Sequence, residues 1–204
     1  MYHTVHMRSE DSALNPRQRL LDAAIEHLAS HGVGEISLRG LAEAIGTSHR
    51  MLLYHFGSKE ELLVAVVQAV EERQRAMLVE LRRELGDTAS PIELTRRLWR
   101  RLSAPDMAPY ERLFFELYGR ALGGETRLQP LLEGIVDTWA EPAARLFETD
   151  YGLPADRASA QARLGVAVIR GLLLDRLAGG DPEAVDRALE QFLALWAAFV
   201  PADG

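Results

Sequence analysis

Arg50 follows Thr47, Ser48 and His49 directly, and Tyr54, His55 and Lys59 come within the next nine positions. A guanidinium can fork onto guanine O6 and N7 or onto a phosphate, and phenol, imidazole and ammonium groups suit phosphate oxygens. Arg50 is also explained as a solvated surface charge, and Ser48 as a helix N-cap alone. His27 and His31 stand four apart, a spacing that lets one helix face bind a metal. No third histidine or cysteine accompanies them, and a histidine just before Gly32 is accounted for by the helix dipole. The absence of cysteine removes thiolate zinc sites, disulfides and a cysteine nucleophile. HExxH, GxSxG and glycine-rich phosphate loops are missing, and no histidine beyond position 55 can serve as a general base. Neither an enzyme nor a metal or cofactor site is expected. The rival from another class is a helical enzyme or metal-binding protein resting on His27, His31 and scattered carboxylates.

The chain of 204 residues carries 23 Lys and Arg against 30 Asp and Glu, a net charge of −7, which argues against coating nucleic acid non-specifically. The imbalance lies late. Residues 1–60 hold six cations, seven acids and all six histidines, whereas residues 61–204 hold 17 cations and 23 acids, so a functional boundary is expected near residue 60. At 48% hydrophobic and 26% charged, the composition is that of a globular protein with a sizeable core. The longest uncharged runs, such as Phe192 to Val200, fall short of the ~20 apolar residues of a membrane span, and no apolar signal core is present. A cytoplasmic location away from membranes is expected.

The punctuation is helical. Asn15-Pro16 starts a helix that ends at Gly32, Ser37 caps a short one ending at Gly46, and another runs from about Ser48 to Tyr54. Ser58-Lys59-Glu60-Glu61 is a capping box opening a run to about Leu85, ~42 Å long if unbroken. Further starts are Ser90-Pro91, Thr126-Arg127 and Asp181-Pro182, with a kink expected at Pro142. No segment has strand character. The fold class is all-α with about nine helices. The domains are a disordered arm over 1–12, a helix-turn-helix head over 13–60 and a helical body over 61–204. Arg8 in the arm, together with Arg17 and Arg19, can add backbone or minor-groove contacts.

Residues 37–56 follow helix-turn-helix logic. Ala42 allows close approach, Gly46 tolerates a positive φ in the tight turn, and Ile45 and Leu52 close a small core, so that a second helix can enter the major groove. Residues 15–61 also resemble the N-terminal DNA-binding domain of TetR-type transcriptional regulators, whose hallmark block appears as Leu52-Leu53-Tyr54-His55-Phe56-Gly57-Ser58-Lys59-Glu60-Glu61-Leu62. It departs at Leu53, where the family more often has tyrosine. The resemblance implies a DNA-binding regulator with Arg39 among the groove contacts beside Thr47, Ser48, His49, Arg50, Tyr54, His55 and Lys59. Phe56 is core. It further implies a repressor of a palindromic double-stranded DNA operator, released by a small apolar effector. The alternative is an activator or a regulator answering to a protein partner.

For the body, Val185, Leu189, Phe192, Trp196 and Phe199 recur at alternating spacings of four and three, an apolar seam, and Leu164 to Leu174 carries only Arg170 as a charge. A homodimer through the last two helices is expected, with Leu164, Val168, Leu172, Val185, Leu189, Phe192 and Trp196 at its interface. Between head and seam lie Trp99, Phe114, Tyr118, Trp139 and Phe147. These are expected to line an effector cavity, with Glu116, Arg120 and Asp137 as its polar groups.

Overall fold

The computed structural model describes residues 15–86 and 90–199; the arm over 1–12 and Arg8 lie outside them. Among the described residues there are nine α-helices, one 3-10 segment and no strand. The head comprises α1 (Pro16–His31), α2 (Leu38–Ala44) and α3 (His49–Phe56). The long α4 (Lys59–Leu85) leads into α5 (Pro91–Leu102) and α6 (Ala108–Leu122), then the 3-10 segment Thr126–Leu132. α7 (Asp137–Tyr151), α8 (Ala155–Leu177) and α9 (Pro182–Phe199) complete the body.

Side-chain caps set most of the starts. Asn15 accepts from the N–H groups of Arg17 and Gln18, Ser37 from Gly40, Ser48 from Met51, Ser58 from Glu61 and Ser90 from Glu93. Each satisfies amide donors that the first helical turn leaves unpaired. Between α2 and α3 the chain turns at Gly46, whose φ of 71° only glycine adopts without strain, and Thr47 N–H donates to the Ala42 carbonyl at 2.8 Å. The start read at Thr126 yields a 3-10 segment, because Pro130 inside it has no amide to donate to an α ladder. Pro142 lies within α7, which continues on both sides of it.

Two apolar clusters form. The first joins Ile25 and Leu28 of α1, Leu41 of α2, Leu52 of α3, Val66 of α4 and Leu113 and Leu117 of α6. The head therefore shares its core with α4 and α6. The second gathers Leu98 and Trp99 of α5, Phe147 of α7, Leu173 of α8, and Val185, Leu189, Leu193 and Trp196 of α9.

That second cluster corrects the expected seam. Val185, Leu189 and Trp196 are 2%, 1% and 6% exposed within the single chain, and Phe192 is half-buried against the same core. A fully covered side chain has no surface left for a second copy, so the apolar stripe of α9 faces its own α5, α7 and α8. Trp196 lies against Gly165, where an added Cβ would stand 3.3 Å from the indole, and its Nε1–H donates to Gln161 at 2.9 Å. Turned outward instead are Leu164 and Leu174 of α8 and Leu195 of α9, each about half exposed, while Val168 and Leu172 are half-buried.

Candidate nucleic-acid interface and internal cavity

Leu52 and Phe56 turn into the core and fix the rotation of α3, because residues four apart share a helix face. The opposite face is then presented outward. His49 and Arg50 are exposed in its first turn, Leu53 and Tyr54 stand 40% and 79% exposed beyond them, and Thr47 and Ser48 lie in the turn before it. Arg39 is exposed at the start of α2. Lys59 is the first residue of α4, half-buried beside the Ser58 cap. Among the described residues, neither Arg39, Arg50 nor Lys59 makes a salt bridge, which suits cations reserved for an external anion.

His55 differs from this set. Its Nε2 is buried and meets no hydrogen-bond partner among the described residues, so that ring edge is not presented to a phosphate. His55 instead contributes its carbonyl, which accepts from Arg17 Nε at 3.4 Å, while the Arg17 guanidinium lies over Phe56 at 4.9 Å. His27 and His31 stack with ring centroids 4.3 Å apart, and His31 Nδ1 faces the His27 carbonyl at 2.9 Å. Among the described residues no group of three or more His, Cys, Asp and Glu is placed to hold a metal, and no helix is long and apolar enough to cross a membrane.

A cavity of about 230 Å³ lies inside the body, walled by α4 to α9. Phe114, Trp139 and Phe147 line it as expected from the sequence; Trp99 and Tyr118 do not. On α5 the lining comes from Leu94, Leu98 and Leu102, spaced by four, which turns Trp99 toward α9, where its Nε1–H donates to Asp186 at 2.8 Å. Tyr118 is one turn further along α6 and stacks on Phe114, packed against the first cluster.

The polar groups are also others than expected. Glu116 leaves the cavity for the head, Arg120 pairs with Glu125 at 2.8 Å, and Asp137 pairs with Arg163 at 2.6 Å. In their place Glu71, Gln74, Glu111 and Arg170 face the cavity. Glu71, 6% exposed, accepts from the Trp139 indole and lies 3.4 Å from Arg170 and 3.5 Å from Arg75. Burial raises its pKa, opposed by those partners. Arg170 also donates to the Ile135 carbonyl at 2.9 Å and lies over the Phe114 ring at 5.2 Å. Glu111, 4% exposed, accepts among the described residues only the Gln74 amide, at 2.7 Å, and burial with the Glu71 charge pushes its pKa up to about 7. The sequence did carry a signal. Val67, Val70, Glu71, Gln74, Leu78 and Leu81 form one helical stripe in which two polar residues interrupt an apolar face.

α6 borders both regions. Glu111, Phe114 and Phe115 face the cavity, and Glu116 accepts from Val33 N–H and Gly34 N–H in the α1–α2 turn, both at 3.3 Å. Tyr110 Oη donates to Glu26 of α1 at 2.9 Å.

This is an all-helical molecule with a helix-turn-helix head and a hollow body. Residues 20–66 match the family model of the bacterial regulatory proteins of the tetR family. Over 70 residues the chain is 44% identical to the HTH-type transcriptional regulatory protein RaaS of Mycobacterium tuberculosis, covering 34% of this chain and 32% of that protein. Over 58 residues it is 38% identical to the HTH-type transcriptional repressor AcnR of Corynebacterium efficiens, covering 28% of this chain and 31% of that protein. The matches span about a third of the length of these curated relatives. The fold is similar to that of a transcriptional regulator from Rhodococcus sp. Rha1, with a TM-score of 0.76 at 19% identity over 93% of this chain and 100% of the other. It is also similar to the multidrug binding protein EbrR crystallised with ethidium, with a TM-score of 0.65 at 27% identity over 91% and 99% of the two chains. The head thus matches the DNA-binding domain model of the tetR family over residues 20–66, and the whole chain shares its fold with solved transcriptional regulators.

Proposed function

We propose that the protein is a sequence-specific transcriptional repressor whose head, residues 13–60, binds a palindromic DNA operator, and whose body, residues 61–204, takes up a small, largely apolar effector that releases it. The observation that carries this reading is α6, one continuous helix that walls the cavity on one turn and holds the α1–α2 turn of the head through Glu116 on the next. The relatives point the same way: AcnR is named a repressor, and EbrR a multidrug binding protein. On this reading the protein acts as a regulator rather than an enzyme and works in the cytoplasm. Arg50, His49 and Thr47 would face base edges, with Arg39, Ser48, Tyr54 and Lys59 around them on the backbone. A palindrome needs two heads. The outward apolar faces of Leu164, Val168 and Leu174 on α8 and Leu195 on α9 would join two copies. Release requires an effector with higher affinity for the conformation whose heads do not fit the operator. The long α4 runs from head to body, and the Glu116 contacts make α6 the more direct link between cavity and head.

The test is selection of bound sequences from a random DNA pool, repeated with variants. A two-fold palindrome is expected. Arg50→Ala should cost ~1–3 kcal/mol on it and flatten preference at one position of each half-site. Lys59→Ala should weaken operator and random DNA alike and lower the salt dependence. Recovery of no common sequence would refute the reading, and a uniform loss in Arg50→Ala would reassign that arginine to a phosphate.

A further inference from the structure

We infer that the effector is an aromatic or aliphatic monocation, with the Glu111 carboxylate as its counter-ion inside the cavity. The inference rests on reading the cavity as the effector site. Four charged side chains line the cavity: Glu71 and Arg82 from α4, Glu111 from α6 and Arg170 from α8. α5, α7 and α9 contribute none. Arg82 is 40% exposed and lies 3.6 Å from Asp150, so its charge belongs to the rim. Arg170 is committed to Glu71, the Ile135 carbonyl and the Phe114 face, and Glu71 has Arg75 and the Trp139 indole besides.

Glu111 is left over. One of its oxygens takes the neutral amide of Gln74, and among the described residues the other accepts no hydrogen bond. An ionised carboxylate covered to this degree, in salt-bridge contact with no cation among the described residues and only partly offset by the more distant Arg170, is expensive, and a cation brought in by a ligand removes the expense. An anionic ligand would meet two carboxylates. A neutral hydrocarbon would leave Glu111 uncompensated. The rest of the wall suits the body of such a cation, since Phe115, Trp139 and Phe147 supply aromatic surface and Val79, 70% exposed, marks where the cavity reaches solvent.

The cavity carboxyl with a pKa of about 7 adds a pH signature. The groups facing it are Glu71, which raises that value, Arg170, which lowers it, and neutral Gln74. A bound cation favours the ionised form, so below that pH binding must expel a proton.

The experiment uses benzyltrimethylammonium and its uncharged isostere neopentylbenzene, titrated calorimetrically into the full chain. The cation should bind at least tenfold more tightly at pH 8. Its affinity should fall by up to about tenfold for each pH unit below about 7, with proton release measured from two buffers of different ionisation enthalpy. In Glu111→Gln the preference and the proton release should both vanish while neopentylbenzene binds at least as well, which also shows that the variant's cavity is intact. Equal binding of the two probes, or a preference that survives in Glu111→Gln, would overturn the assignment of charge and leave the cavity as an effector site. If neither probe binds, that site falls together with this inference. Cation binding that obeys all these rules but never alters DNA affinity would uphold the inference and overturn the repressor reading.

Discussion

Replacing Glu111 by glutamine should stabilise the protein, and increasingly so as pH rises. The carboxyl is 4% exposed and its pKa is pushed from the usual 4.5 to about 7. A group that binds its proton more tightly when folded adds no penalty below about pH 4.5 and costs stability progressively as pH climbs through 7. A shift of that size corresponds to about 3 kcal/mol once both states are ionised. Glutamine has nearly the same shape, keeps an oxygen for the Gln74 amide and never ionises. Urea unfolding of both proteins at pH 5 and pH 8, at one fixed concentration so that the proposed dimerisation contributes equally to both, isolates the effect. Surface carboxylates held low by arginines, such as Glu93 beside Arg97 and Arg96, act equally on both proteins and cancel. The two proteins should differ by about 1 kcal/mol at pH 5 and by about 3 kcal/mol at pH 8, the variant being the more stable. A gap that does not widen with pH, or a variant less stable at pH 8, would refute the account of Glu111 as a costly, unmatched charge.

Glu116→Ala removes the acceptor for Val33 N–H and Gly34 N–H. It should cost ~1–3 kcal/mol in stability and shrink the effect of an effector on DNA affinity while effector binding persists; unchanged coupling in a gel-shift titration would exclude α6 as the link. Leu164→Glu with Leu195→Glu places charges on the outward faces of α8 and α9. Sedimentation should show a folded monomer where the wild type is a dimer, whereas Trp196→Glu should unfold the chain. A monomeric wild type would refute the proposed interface.

The head was legible because its signals are local. Ser37, Ser48 and Ser58 each cap the helix read from them, and the spacing of Leu52 and Phe56 settles which side of α3 faces outward. The body was legible in its helices and much less in their facing. Periodicity groups Val185, Leu189, Phe192 and Trp196 on one side of α9, yet only the packed structure says that this side meets the same chain. The cavity's polar groups failed for a related reason. Glu116, Arg120 and Asp137 were expected because they are neighbours of aromatic residues in sequence, whereas Glu71 and Arg170 meet across 99 positions. Burial chooses the lining, and separation along the chain carries no information about it. His55 shows the limit even inside the motif, since its residue type suits a phosphate and its Nε2 is buried.

The division of the cavity wall has a genetic consequence. α5 and α7 supply Leu98, Pro142, Leu146 and other lining residues, and among the described residues neither helix makes a hydrogen bond to the head, whereas α6 touches both. If the protein is the effector-released repressor proposed above, substitutions on α5 and α7 are therefore free to retune which molecule is accepted while leaving operator affinity where it was. Changes on α6 are pleiotropic: variants that never release, and variants that never bind, should both accumulate there. New specificity would then arise by drift in α5 and α7, with α6 held nearly constant by its second duty.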